Sequence, residues 1–164
     1  IEKFPQLIDE YVKHYGFKGD TAQTAYVKQA GHKQLVDYVH KYRLTDKAEK
    51  ALLKRGDEEK ILAYIAERQF HQKAEAELLK SNNGKLLNEY LPKYRLHDGN
   101  DVVLLEYAGN GFSKIYLRYQ TLSAQGDVYV RKGLENFIIT RDVFEAYVTN
   151  HFWKLKEFYD SHQS

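Results

Sequence analysis

The chain has 164 residues, 43% of them hydrophobic, which is enough for one compact domain or a short repeat array and excludes an intrinsically disordered chain. Its 25 Lys and Arg nearly balance 23 Asp and Glu, for a formal charge of +2, so charge alone gives no strong nucleic-acid signal. The absence of Cys excludes disulfides, thiolate zinc sites and cysteine nucleophiles.

The N-terminal stretch contains neither a recognisable signal peptide nor a membrane span. The segment IEKFPQLIDE lacks the uninterrupted apolar core of a signal peptide. No apolar run in the sequence approaches the ~20 residues that cross a bilayer. Ile1 in place of Met suggests a processed chain or an excised piece, so a targeting segment could be missing. The compartment stays unknown, with the cytoplasm slightly favoured.

Most of the sequence repeats with a period of 26 residues. Three columns of four residues show the period: a tyrosine column and two apolar columns. They are Tyr38, Tyr64, Tyr90 and Tyr116; Leu44, Phe70, Leu96 and Leu122; and Leu52, Leu78, Leu104 and Val130. The related nonapeptides YVHKYRLTD (38–46) and YLPKYRLHD (90–98) are therefore two copies apart. Tetratricopeptide and ankyrin repeats, with periods of about 34 and 33 residues, do not fit.

Degenerate copies flank the clear ones. Upstream, allowing a slip of one residue, an aromatic and apolar pattern matches the start of the first clear copy; its residues are Tyr11, Val12, Tyr15 and Phe17. Downstream, FIITRDVFEAYV (137–148) is a further weak copy. The array is therefore predicted to contain about six units.

Each clear unit is predicted to hold two short helices. In HKQLVDYVHKY (32–42) the apolar residues recur with the 3.6-residue period of an amphipathic helix. A second helix follows, for which Asp46 and Glu49 form a pattern resembling a capping box. Ala48 and Leu52 share its apolar face, and Gly56 is the expected stop. Helices of this length are marginal alone, so the units must stack and bury their apolar faces.

The segment AEKALLKRGDEEKILAYI (48–65) resembles the unit of bacterial tandem helix-hairpin proteins, which are leucine-rich and similar to HEAT repeats. The resemblance covers about residues 30 to 130 and implies an interaction scaffold with no particular reaction. The expected fold is all-α, a right-handed α–α superhelix forming one domain over 1–164. Clear repeats are expected at about 30–133, a degenerate N-terminal unit at 6–29 and an aromatic capping unit at 134–160.

Charged and tyrosine columns raise the question of a ligand ladder. Four acids recur near the start of each second helix: Glu49, Glu75, Asp101 and Asp127. Stabilisation by the helix dipole is favoured over a cation-binding ladder, because successive repeats would hold these carboxylates roughly 10 Å apart. The periodic tyrosines are likewise expected to pack in the seam between units rather than to stack on bases or sugars.

No catalytic, metal or cofactor motif appears in the sequence. The seven histidines form no His-Glu-x-x-His pattern, and there is no nucleophile elbow, Walker loop or dinucleotide fingerprint. We therefore predict no catalytic residues, no metal ligands and no cofactor. One alternative is a hydrolase or transferase with an acidic site in the superhelical groove, which would need two perturbed carboxylates facing one cleft.

Residues that vary at one aligned surface position are the better candidates for contact with a partner, since residues repeated in every unit are needed for stacking. The variable set combines cations with tyrosine, a composition favoured at interfaces. It comprises Lys41, Tyr42, Arg43, Arg68, Lys93, Tyr94 and Arg95. The opposing interpretation is that these cations simply lie near the C-terminal carbonyls of helices.

The C-terminal stretch FEAYVTNHFWKLKEFYD (144–160) concentrates aromatic residues, including Trp153. A terminal unit must close the open core of an array, so a cap is the first interpretation, and any exposed part of it, around Trp153, is a further docking candidate. Taken together, the sequence predicts a non-catalytic scaffold for an unidentified protein or peptide. RNA binding through the Lys, Arg and Tyr positions is a second alternative.

Overall fold

The computed structural model describes residues 10–12, 14–17, 19–55, 57–136 and 138–161, with side chains as far as His151. All regular secondary structure within these ranges is helical and none is strand, which confirms the all-α class. Residues 10–12 and 14–15 are helical, and the helices that follow are α1 Asp20–Gln29, α2 His32–Lys41, α3 Asp46–Lys54, α4 Glu58–Glu67, α5 Gln72–Ser81, α6 Gly84–Tyr90, α7 Asn100–Tyr107, α8 Asn110–Tyr119, α9 Ala124–Glu135 and α10 Arg141–Ser161.

The chain divides into two compact units, Ile1–Glu77 and Leu78–Ser164. In the first, α1 packs against α3 and α2 against α4. In the second, α6 packs against α8, α7 against α9 and α8 against α10. In these five pairs a helix meets the helix two places along the chain, an arrangement that fits a helical repeat. Such packing is needed because a helix of about ten residues is not stable alone in water.

The periodic columns form the core. The tyrosine column and both apolar columns are buried, with Tyr64, Phe70, Leu78 and Leu104 fully so. This confirms the prediction that the columns beginning at Leu44 and Leu52 are core. Because the tyrosine rings are at most 4% exposed, they act chiefly in packing, as predicted.

The predicted capping box at the start of α3 is wrong. The N-cap is Thr45, whose hydroxyl accepts from the Ala48 N–H at 3.3 Å. Asp46 is already helical, and its Oδ1 accepts the Ala74 N–H at 3.0 Å. Glu49 turns into the core instead of back to its own helix start. Threonine and aspartate are both good caps, and here the acid is used to hold the next hairpin.

Helix ends elsewhere follow the turn chemistry of the sequence. α5 ends at Ser81, Asn82 takes a left-handed conformation with φ 55°, and the Asn83 side chain caps α6 by accepting from Leu86 N–H at 3.2 Å. The predicted stop at Gly56 lies outside the described residues. α10 is a single helix of 21 residues, about twice the length of the others, so the chain ends with one long element instead of a short pair.

Candidate functional site

Glu49 is a buried carboxylate that joins three helices of the first unit. From the first turn of α3 its Oε2 accepts the Tyr64 hydroxyl of α4 at 2.5 Å. Its Oε1 accepts the backbone N–H of His71 at 2.8 Å and lies 2.6 Å from His71 Nδ1, just before α5. Burial raises the pKa of Glu49, while the hydrogen bonds from Tyr64 and His71 oppose that rise. The side chain therefore connects neighbouring hairpins.

The same connection recurs at 26-residue intervals. One period upstream, Gln23 donates from Nε2 to the Tyr38 hydroxyl at 3.1 Å and accepts the Thr45 backbone N–H. Two periods downstream of Glu49, Asp101 accepts the Ser123 N–H at 2.6 Å and the Ser123 hydroxyl at 3.0 Å. The column thus lies in the first turns of the helices, as expected, but its side chains also hold the following hairpin.

This second role accounts for the acceptors at positions 23, 49 and 101, and sequence reasoning missed it. The clue was that position 23 carries an amide where later copies carry acids, since both residue types accept a backbone N–H. Among the residues that the structure describes, no group of three or more His, Asp or Glu is placed to hold a metal ion. The contacts described for Glu49 and Asp101 are structural ones.

Two pairs from the predicted contact set have matching geometry. Lys41 Nζ lies 5.3 Å from the centre of the Tyr42 ring, and that ring lies 5.2 Å from the ring of buried Tyr38. In the second unit Lys93 Nζ lies 5.5 Å from the Tyr94 ring, which lies 5.0 Å from buried Tyr90. Both lysines are exposed and both tyrosines half-buried. Each pair therefore places a cation and an aromatic edge at or just past the C-terminus of the first helix of a unit, α2 or α6.

The arginines of the set bond to the ends of neighbouring helices. Arg68 donates to the carbonyls of Val39 and His40 at 3.2 and 3.5 Å, at the C-terminus of α2. Arg43 is exposed but donates from Nη2 to the Gln69 carbonyl at 3.0 Å. Arg68 therefore fits the opposing interpretation of the predicted contact set, in which the cations lie near the C-terminal carbonyls of helices. Arg95 is exposed.

A cavity of about 430 Å³ opens beside the Lys41–Tyr42 pair in the first unit. Its apolar lining comes from three elements, and its charged lining comes from one face of α2. The residues are Val12, Tyr26, Lys33, Gln34, Asp37, Tyr38, Lys41 and Tyr42. The volume lies in the lower part of the roughly 300–1,000 Å³ range of ligand pockets. We name this site the α2 cavity.

Only Lys41 and Tyr42 of the α2 cavity were predicted as contact residues. The sequence did contain one sign of the cavity. Tyr26 lies one period before Leu52, in the column that carries leucine in the next three copies, Leu52, Leu78 and Leu104. A half-buried ring with a polar end replaces a fully buried aliphatic side chain there. The first copy thus departs from the repeat at the cavity itself.

A second cleft of about 350 Å³ lies in the second unit, between α8 and α10. Both signs of charge line it: Lys114, Arg118, Asp142 and Glu145. Lys114 Nζ is 3.6 Å from Asp142 Oδ2, so the charges partly satisfy one another. The backbone of Trp153 is helical in α10, and its side chain lies outside the described residues.

Comparisons with protein-family models, curated proteins and solved structures find no match to this chain. The likeness to bacterial helix-hairpin repeats remains a resemblance of sequence pattern. In the part of the chain that the structure describes, no helix is both long enough and apolar enough to cross a membrane.

Proposed function

We propose that this chain is a non-catalytic helical repeat scaffold, built as an α–α superhelix, that binds a protein or peptide through the Lys–Tyr pairs at the C-terminal ends of the first helices of two repeat units. The observation that carries the proposal is the matched geometry of Lys41 with Tyr42 and of Lys93 with Tyr94. These positions differ in the intervening copy, which has Glu67 and Arg68. Stacking of the units therefore does not require them.

The chemistry of the pairs suits a protein partner. A half-buried tyrosine held against a buried ring offers rigid apolar area at low entropic cost, and the lysine above it adds charge selectivity. The buried acids favour the same conclusion. Glu49 and Asp101 accept backbone N–H groups of the following hairpin, which is a structural use, whereas a hydrolase or transferase would need such acids to face a cleft.

Site-specific photo-crosslinking tests the proposal. p-Benzoylphenylalanine replaces Tyr42, Tyr94 or, as a control, the exposed Val128 of α9, in cells that make the protein. The proposal expects a shared protein adduct from positions 42 and 94 that position 128 does not give. Adducts that disappear on nuclease treatment would favour RNA binding instead, and the absence of any adduct specific to positions 42 and 94 would refute the scaffold function at these pairs.

A further inference from the structure

We propose that the α2 cavity binds an extended acidic peptide, taking one apolar side chain of the peptide into the cavity and holding an acidic residue on either side of it with Lys33 and Lys41. This inference rests on the proposed scaffold function and names the partner chemistry of one site. It depends on the shape of the cavity, the charges on α2 and a comparison between copies of the repeat.

The floor of the cavity is apolar and firmly held. Tyr38 and Val12 are both only 4% exposed, and Tyr38 is fixed at its hydroxyl by the side chain of Gln23 at 3.1 Å. The ring of Tyr26 lies 5.2 Å from that of Tyr38 and its hydroxyl donates to the Gln34 carbonyl at 3.2 Å. A preformed aromatic floor of this kind suits a single inserted aromatic or aliphatic side chain.

The rim of the cavity carries charges in a fixed order along α2. Lys33, Asp37 and Lys41 are four residues apart, share one helical face and are all exposed. Two cations flank one carboxylate, so the rim has a net positive charge. The two lysine positions are eight residues apart, about 12 Å along the helix axis. A ligand with negative charges at its two ends and none in the middle is complementary to this order.

An extended peptide matches that spacing. At about 3.3 Å per residue, positions i and i+4 lie about 13 Å apart, and positions i, i+2 and i+4 project from the same side. Acidic residues at i and i+4 would therefore reach Lys33 and Lys41 while an apolar residue at i+2 enters the cavity. The carboxylate of Asp37, in the middle of the rim, would accept backbone N–H groups of such a peptide.

The repeat supplies an internal comparison for these charges. At the aligned positions of the next copy the residues are Glu59, Ala63 and Glu67, so both lysines are replaced by acids. One copy further on the order returns as Lys85, Glu89 and Lys93, followed by Tyr94. Packing of the repeat tolerates either sign at the lysine positions, so the charge order is free to serve recognition.

The test uses the full chain and short labelled peptides, with binding followed by fluorescence anisotropy. The peptide SESFSES carries the proposed pattern; SESSSES lacks the apolar side chain and SKSFSKS reverses the charges. We expect SESFSES to bind at least tenfold more tightly than either control, and its affinity to fall as salt concentration rises. Equal binding of the three peptides, or no binding of SESFSES, would overturn the inference.

A charge exchange gives the decisive arm. The double variant Lys33→Glu/Lys41→Glu introduces the residues found in the next copy, so it is expected to fold, which circular dichroism melting checks. It should lose at least tenfold in affinity for SESFSES and gain affinity for SKSFSKS. The matched control Lys47→Glu/Lys54→Glu makes the same change in net charge at exposed positions of α3 and should bind as the unaltered chain does. Equal losses in both double variants would show a non-specific charge effect and overturn the inference.

Other occupants would give different results. If the unaltered chain is a dimer and Lys33→Glu/Lys41→Glu is a monomer in sedimentation, a second copy covers the cavity and the peptide inference is wrong. If a single-stranded oligouridylate binds with the same dependence on the two lysines and SESFSES does not, the ligand is RNA. Photo-crosslinking at Tyr94 to a protein, together with failure of SESFSES, would leave the scaffold function intact and refute only the peptide inference.

Discussion

The Tyr64 hydroxyl donates to Glu49 across 2.5 Å of buried space, linking α4 to α3. Because the same carboxylate accepts the His71 N–H at 2.8 Å, a single side chain satisfies donors from two later segments of the chain. Buried donors that lose such an acceptor are costly, about 1–3 kcal/mol each. The stability of the first unit should therefore depend on an acceptor at this position.

Glu49→Gln should preserve the link, because Gln23 makes the equivalent hydrogen bonds one period upstream. Burial raises the Glu49 pKa, so its stabilising contribution is fully present below the ordinary pKa of the unfolded chain and is lost as pH rises through the folded pKa. In urea unfolding at pH 7, we expect the free energy of unfolding of the glutamine variant to be at least as high as that of the native chain. At pH 4 the native chain should gain stability relative to the variant.

Glu49→Ala is the control for this substitution. It leaves the Tyr64 hydroxyl and the His71 N–H without their acceptor, and should lower the free energy of unfolding by about 2–4 kcal/mol at pH 7. A glutamine variant as unstable as the alanine variant, or one with the same pH dependence as the native chain, would contradict the role assigned to the Glu49 carboxylate.

Leu78→Ala should lower the free energy of unfolding by about 2–5 kcal/mol, because Leu78 is fully buried in a core column and its truncation leaves a cavity. Chemical denaturation followed by circular dichroism measures the change. Val128→Ala, at a position 49% exposed, should alter stability by less than about 0.5 kcal/mol. Similar losses for both would show that the 26-residue register does not mark the core.

Arg68→Ala should lower the free energy of unfolding by about 0.5–1.5 kcal/mol, because it removes hydrogen bonds to the Val39 and His40 carbonyls. Arg95→Ala, at an exposed position, should change stability by less than about 0.5 kcal/mol. Differential scanning fluorimetry distinguishes the two. Once the partner is known, Arg43→Ala/Arg95→Ala should weaken its binding with little change in melting temperature, because the hydrogen bond from Arg43 to the Gln69 carbonyl is exposed to water. Undiminished binding would exclude both arginines from the contact surface.

Gly126→Ala should destabilise the second unit by about 1–3 kcal/mol, although alanine favours helix, because a Cβ there would lie 2.3 Å from Asp101 Oδ2. The clash would break the two hydrogen bonds that Ser123 donates to the Asp101 carboxylate. Gly111→Ala, in a helix with no neighbouring atom within 4 Å of the added Cβ, should instead be neutral or stabilising by up to about 1 kcal/mol. If thermal unfolding shows that both substitutions stabilise the protein, the close approach of Gly126 to the Asp101 carboxylate is contradicted.

The sequence predicted the buried columns because apolar residues that recur at a fixed period can be buried together only if the repeat units stack. Lys41 and Tyr42 were predicted as contact residues for a different reason, their variation at an aligned position, and that role stays a prediction. The rest of the α2 cavity was missed because Val12, Tyr26 and Lys33 come from three separate helical segments, and single-chain periodicity describes one segment at a time. The role of Glu49 was missed because first-turn acids commonly act on the helix dipole, and only packing reveals the tyrosine beneath.

Glu49 and Asp101 each accept a backbone N–H from a residue 22 positions later in the sequence. On a ribosome the acceptor emerges first and stays hydrated until its donor follows. We therefore expect each hairpin to complete its burial only when the next one arrives, so that folding during synthesis proceeds from the N-terminus with a lag of about one repeat. In a nascent chain halted within a repeat, the last hairpin would stay hydrated and would open and close reversibly. Its acidic side chain would not be buried in an incomplete core.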